Sequence, residues 1–523
     1  MSRRKFLVGL GAGAVASTFW PGDADASREP SGGSGGGSGG SGGGTGGSGG
    51  TPSPYRITFG RLFPDLAPFA VPSDALRHVL LDIGKPGGLL DAGDDLAAGA
   101  AALFNESKFT PTNLDNPTMR AGFTFMGQFF DHDFTFDLSS VLGVPTEPTT
   151  SRNGRTPRFD LDSVYGGGPM ATPQFYLPSD PAKFRVESGG KFEDLPRGAD
   201  LVPVISDPRN DENLMIAGLH CAFMLFHNRV VDQVRAGTTM ATTDAFAAAR
   251  QLTTWHYQWL VIHEFLPAFV GRPLVDDILA NGRKFYRPVA GDAFIPIEFQ
   301  GAAYRFGHSM VRPSYRANLN GDNGQPFFGF IFDPTLENTS DPDDLVGGHR
   351  APRRFIDWRT FFDFGDGNVR ANKRIDTHIS SPLFRLPLSA IPSKDAPIAL
   401  PQRNLLRQVT WSMPAGQDIA RAMGETPIEA PELAGYGLGL EHSTPLWYYA
   451  LKEAETVNMG VHLGPVGGRI VAEVFLGLLA LDPDSILNKP GWVPTLPQRS
   501  GQVTGQFLMV DFLTFAGVAD RGQ

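Results

Sequence analysis

The stretch GQFFDHDFTFD, residues 127–137, sets an Asp-His-Asp triplet among phenylalanines. Charge is costly to bury among aromatic side chains unless each charged group has a partner or a task. Any fold this chain adopts must therefore provide for Asp131, His132 and Asp133. Periodicity predicts a helix from Phe123 to Phe134, on which successive residues turn by about 100°. The three side chains then point in three directions, while Gln128 and His132, four apart, share one face. One triplet can serve two sites, with His132 and Gln128 lining a single pocket. A surface acidic cluster around a satisfied histidine fits the same residues and is the plainer alternative.

The chain has 523 residues, enough for a large core, and 41% of them are hydrophobic. A formal net charge of −10 argues against a nucleic-acid binder, because phosphate recognition needs a basic surface. The single cysteine, Cys221, excludes an intrachain disulfide, and in the apolar run LHCAFMLF it reads as a small core residue.

The first 26 residues read as a twin-arginine signal peptide. Arg3 and Arg4 precede a short apolar run, and small residues follow at Ala24 and Ala26. The run from Phe6 to Trp20 is too short for a comfortable membrane span. Its GLGAGA lacks the preceding strand of a dinucleotide-binding fingerprint. Residues 27–54, nearly all Gly and Ser from 31 to 50, form a flexible tether that cannot bury a core. A single large, mainly α domain with few short strands is expected from residue 55 to 523. Its other clear helices are predicted over Glu212–Val234, Leu252–Leu266 (ended by Pro267) and Gly467–Leu481.

Four further stretches carry candidate chemistry. RTPRFDLDSVYG offers Thr156, Asp160 and Asp162 as alternating oxygen donors for a hard cation such as Ca²⁺, although a turn with solvated carboxylates fits as well. SDPRNDENL carries Arg209 and Glu212 at a helix start, where acidic residues are common for dipole reasons alone. YRFGHSM carries His308, and a lone histidine in an aromatic helix is more often structural. QRNLLRQ sets Asn404 and Arg407 on nearly one helix face. The pairs His220/His227 and His256/His263 lack the i, i+4 spacing of a helical metal site and read as packing.

In order and spacing these stretches resemble the animal-type haem peroxidase family, the peroxidase-cyclooxygenase group, over about residues 55–480. The resemblance implies a His-ligated haem b, a calcium ion and reaction with hydrogen peroxide. It makes His132 the distal base, with Gln128 and Arg209 beside it, and Asp131 and Glu212 the carboxylates that form esters to the haem. It makes His308 the iron ligand, Asn404 the residue that holds it, and Arg305 and Arg407 the propionate partners. Asp133, Thr156, the carbonyl of Arg158, Asp160 and Asp162 fall on its calcium site. Where some members carry a sulfonium-forming methionine this chain has Asn213. Fatty-acid oxygenases of the group carry a radical tyrosine at the position of Arg305. The resemblance thus implies an exported peroxidase, periplasmic or extracellular, acting on small donors or halides. The rival readings are a haem-dependent fatty-acid dioxygenase and a calcium-stabilised extracellular binding protein without turnover.

Overall fold

The computed structural model describes residues 56–519, apart from 189–191, 290, 322, 337, 338, 340, 349–351 and 500–504. The expected leader and tether, 1–54, lie outside the described residues. Ser53–Gln523 form one compact unit. It is mainly helical, and its short strands pair as four separate two-stranded antiparallel sheets.

The centre of the unit is the helix Leu214–Arg235, which starts where Asn213 caps it, its side chain accepting from the Ile216 N–H. By length and composition this helix could cross a membrane, but 78% of its most apolar window is buried inside the protein. It packs on Thr242–Leu260, on Met509–Ala516 and on Gly122–Phe134. Aromatic side chains fill the seams. Phe129 stacks on Phe223 with ring centroids 4.4 Å apart, and Phe226 stacks on Phe512 at 4.1 Å. Fully burying such a ring contributes about 1.5–3 kcal/mol, so these seams hold the helices in register. Cys221 is buried in the same core.

The predicted helices fall at Gly122–Phe134, Leu214–Arg235 and Pro465–Leu481. The helix expected over Leu252–Leu266 is corrected. It starts at Thr242, widens into a π turn at Val261–Phe265 and continues through Leu266–Val270, past Pro267. Proline lacks an N–H, and its ring crowds the carbonyl four residues back, here that of His263. The wider turn relieves the clash, and the His263 carbonyl accepts instead from Arg272 Nη2 at 3.3 Å.

Candidate active site

On the Gly122–Phe134 helix the residues that keep accessible surface beyond the first turn are Gly127, Gln128 and Asp131, one stripe of an otherwise buried helix. Glu212, Arg305 and His308 are likewise only partly covered. All four charged or titratable members (Asp131, Glu212, Arg305, His308) are nonetheless desolvated, so the stripe lines a cleft and not the outer surface. The Tyr304 hydroxyl, next to Arg305, donates to the Gly127 carbonyl at 3.0 Å and ties the two halves of the cleft together.

On the helix side, His132 is buried, and its Nδ1 lies 2.8 Å from Asn210 Oδ1. The other end of that amide, Nδ2, is 2.9 Å from His220 Nδ1. Burial first, then the Arg209 charge, push the His132 imidazole down to about 3, so it is neutral. Arg209 is held rigidly. Its Nε and Nη2 donate to the two carboxylate oxygens of Asp207 at 3.0 and 2.8 Å, Nη2 also reaches the His132 carbonyl at 3.2 Å, and the guanidinium lies 4.2 Å from the Phe136 ring centroid. Burial alone would raise the Asp207 carboxyl, but Arg209 and Arg155 outweigh it and hold it ionised. Arg155 donates from Nε to Asp207 at 2.9 Å and reaches Asp162 at 3.5 Å. Gln128 Nε2 donates to Glu212 at 3.3 Å and its Oε1 accepts from Asn213 at 3.2 Å. Desolvation lifts Glu212 to about 7 and Asp131 to about 6.

Facing this, His308 lies on the short helix Gly307–Met310, and a side chain added at Gly307 would meet open space. Its Nδ1 is 2.8 Å from the Asn404 amide nitrogen, while Asn404 Oδ1 accepts from Arg305 at a long 3.4 Å. Burial, then Arg305, push His308 down to about 3. Ligation of a metal through Nε2 leaves the proton on Nδ1, which must then donate. The same 2.8 Å contact serves once the amide is turned over. Among the described residues neither His132 nor His308 has a hydrogen bond at Nε2. Arg407 pairs with Asp137 at 2.7 Å and with Ser140, so it enters the site already engaged. Tyr304 is already engaged, its hydroxyl with the Gly127 carbonyl and its ring stacked on Phe299.

The third side chain of the triplet turns to the acidic loop. Asp133, Asp160 and Asp162 each offer an oxygen within 4.8 Å of the others. Asp133 accepts from the Leu161 N–H, Ser163 Oγ and Tyr257 OH at 3.1–3.2 Å. Leu161 supplies the tight bend with a left-handed φ of 60°, uncommon for a side chain of its size. Thr156 Oγ1 sits 3.1 Å from Asp162. The Arg158 guanidinium pairs with Asp482 and lies 3.6 Å from Asp484 and 4.0 Å from Asp160. Burial and mutual repulsion drive Asp133 well above the ordinary range and Asp162 up to about 7. A divalent cation would remove that penalty.

The chain therefore brings together His132, Gln128, Asp131, Arg209, Glu212, Arg305, His308 and Asn404, and separately Asp133 of the helix with Thr156, Asp160 and Asp162 of the acidic loop. Asp207, Asn210, Arg155 and Ser163 escape the sequence reading, although all lie within quoted stretches. His220 departs from its partners in the histidine pairs. His227 bonds Tyr165 and the Ala182 carbonyl, His256 the Leu252 carbonyl, and His263 stacks on Trp259, all structural tasks. His220, expected to be packing, instead joins the His132 network.

Residues 139–337 match the animal haem peroxidase family. Over that stretch the chain is similar to animal haem peroxidases. The matched stretch takes in the acidic loop, Arg209, Glu212, Arg305 and His308, while His132 precedes it and Asn404 follows. Curated relatives include Heme peroxidase 2 of Caenorhabditis elegans, 29% identical over 125 residues (23% of this chain, 17% of that protein). Thyroid peroxidase of Rattus norvegicus is 25% identical over 215 residues (36% and 22%). Dual oxidase of Drosophila melanogaster is 29% identical over 111 residues (21% and 7%). The matches thus span less than a quarter of these relatives' own length. Among solved structures, Peroxidase A from Dictyostelium discoideum superposes with a TM-score of 0.57 at 16% identity, covering 83% of this chain and 90% of that one. The fatty acid alpha-dioxygenase of Oryza sativa gives 0.51 at 15%, covering 80% and 82%. These establish the peroxidase-type fold.

The residues present fit a haem. The cleft is lined by two desolvated imidazoles tied at Nδ1, with cationic Arg305 to meet a propionate, and Gly307 leaves room beside His308. The acidic loop likewise fits a hard divalent cation by its donor set.

Proposed function

We propose that this chain is an exported haem peroxidase that reduces hydrogen peroxide and oxidises small organic donors or (pseudo)halides. The observation that carries the proposal is the pair of desolvated imidazoles on the two sides of one cleft, each tied at Nδ1 and without a hydrogen bond at Nε2 among the described residues. Haem b, when bound, supplies an iron that accepts a peroxide oxygen and passes the oxidising equivalents to the donor.

The protein's own part is proton transfer and charge stabilisation. Neutral His132 takes the proton from one peroxide oxygen at Nε2 and delivers it to the other. Arg209, fixed by Asp207, stabilises the negative charge that develops as the O–O bond breaks. Gln128, on the same face as His132, orders the bound peroxide or water. His308 is the iron ligand, and Asn404, turned to accept from its Nδ1–H, increases its basicity. Arg305 and Arg407 hold the propionates. Asp131 and Glu212 are the carboxylates that would tether the haem covalently as esters. Asp133, Thr156, Asp160, Asp162 and the Arg158 carbonyl bind Ca²⁺. Residues 1–26 direct export by the twin-arginine route to the periplasm or beyond, 27–54 are a linker, and 55–523 are the peroxidase domain. The acidic net charge leaves nucleic acid out of the partners.

Turnover tests the reading. Haem-loaded protein should oxidise guaiacol and iodide with hydrogen peroxide and should consume no oxygen with palmitate. Oxygen uptake with palmitate and no peroxide-dependent turnover would assign a fatty-acid oxygenase instead. Without a methionine at position 213, iodide, bromide and thiocyanate should be oxidised faster than chloride.

A further inference from the structure

Asn210 lies between two imidazoles, with Oδ1 2.8 Å from His132 Nδ1 and Nδ2 2.9 Å from His220 Nδ1. All three side chains are buried, Asn210 completely. An amide is directional: one end only accepts and the other only donates. Two imidazoles bridged through their Nδ1 atoms by one amide must therefore differ: the ring at the oxygen end carries a proton on Nδ1, and the ring at the nitrogen end does not. These two contacts are the only hydrogen bonds the two rings make among the described residues, so nothing else sets the proton positions.

We infer that Asn210 and His220 are positioning residues that fix the tautomer of His132. Resting on the peroxidase reading above, the inference concerns how its base is prepared. His220, with its proton on Nε2, accepts at Nδ1 from Asn210 Nδ2. That contact orients the amide so that Oδ1 faces His132, and Oδ1 holds the His132 proton on Nδ1. The lone pair of His132 Nε2 is thereby presented to the cleft. With the amide reversed, His132 would carry its proton on Nε2 and could not act as a base there. The elements explain why the bridge is rigid. Asn210 is set in the turn Pro208–Asp211, whose first residue follows the Asp207 cap, with the Asn210 N–H donating to the Asp207 carbonyl at 3.0 Å. His220 projects from the core helix Leu214–Arg235.

Cyanide association with the ferric haem protein reads this without turnover, because HCN must give its proton to a base in the pocket before the anion binds iron. His220→Leu leaves the amide free to turn and should slow cyanide association about 10-fold, the scale of one buried hydrogen bond. His220→Asn sets an amide oxygen near the position of Nδ1 and should restore the rate to within about 3-fold of the parent. Asn210→Leu, nearly isosteric, removes the acceptor itself and should slow association about 10–100-fold at unchanged haem content and Soret maximum. Should His220→Leu fail to hold haem, the contrast between His220→Asn and Asn210→Leu decides the matter. Parent-like rates in Asn210→Leu, or equal losses in His220→Asn and His220→Leu, would overturn the inference. A parent protein that shows no haem spectrum would overturn the peroxidase reading itself, so the two failures are distinct.

Discussion

At the scale of single residues, the proposed chemistry places its proton work on one imidazole and its esters on two carboxylates. His132→Ala should retain haem yet react with peroxide about 100-fold more slowly, the usual weight of a general acid–base group. Stopped-flow decay of the ferric Soret band measures this, and a parent-like rate would remove His132 from the role. Burial, then Arg209, lower His132 from 6.5 to about 3. Because only the neutral ring accepts a proton, the peroxide step should stay level as pH falls through 6.5 and decline only as it nears 3. In protein whose esters have not yet formed, an inflection between 6 and 7 would belong to the free carboxyls of Asp131 or Glu212, which desolvation raises to about 6 and about 7. It must then vanish in the double variant Asp131→Val, Glu212→Gln. That variant should also release all its haem into acid solvent after peroxide treatment, and mass spectrometry of haem-bearing peptides would reveal any other linker. The primary candidates were legible because each sits in a short local pattern: DHD, the RxxE of Arg209 and Glu212, RFGH and NLLR. Asp207, Asn210 and His220 were not, because their tasks arise from tertiary contact. Asn210 meets His132 across 78 positions, and no spacing rule records which way an asparagine faces.

At the scale of elements, the acidic loop shares the Asp133 backbone with the helix that carries His132. A second connection runs through side chains, from Asp162 to Arg155, Asp207 and Arg209. Emptying the loop should therefore disturb the cleft as well as the loop. Chelation, or Asp160→Ala, should shift the Soret band and lower peroxide reactivity together. Full reactivity at zero metal content would separate the loop from the mechanism. The carboxyls also set the sign of the pH dependence of stability. Burial and Asp160 raise Asp162 from 3.8 to about 7 in the metal-free fold. The folded chain then holds a proton that the unfolded chain releases, so metal-free stability should fall as pH rises from about 4 to about 7. Bound calcium favours the ionised carboxylates and should reverse the slope. Thermal melts with and without chelator check this. Helix periodicity located the main elements, since buried stripes repeat at helical spacing whatever they pack against. It failed at Pro267, where a proline that ordinarily ends a helix is absorbed by the π turn at Val261–Phe265.

At the scale of the whole molecule, the mainly helical single domain with few strands was legible from the periodic apolar segments and the scarcity of alternation. The role of the last helix was not. Met509–Ala516 lies beyond the stretch that carries the family resemblance, yet Phe512 closes the core against Phe223 and Phe226 at 4.4 and 4.1 Å. Phe512→Ala should cost about 3–5 kcal/mol of stability, as large-to-small changes in a packed core do. Denaturant unfolding measures it, and a loss below about 1 kcal/mol would show that the helix is peripheral. Since Phe223 also stacks on Phe129, one turn before His132, the same substitution should loosen the cleft before it unfolds the chain. The central claim is that His132 and His308 face one another across a haem that reacts with peroxide. An absorption spectrum of the haem-loaded protein, taken before and just after one equivalent of hydrogen peroxide, tests it most directly. The account expects a high-spin ferric Soret band at one haem per chain, a spectral change within the first second, and return to the ferric spectrum on adding iodide or guaiacol. A protein that takes up no haem, or whose ferric band is indifferent to peroxide, would contradict it.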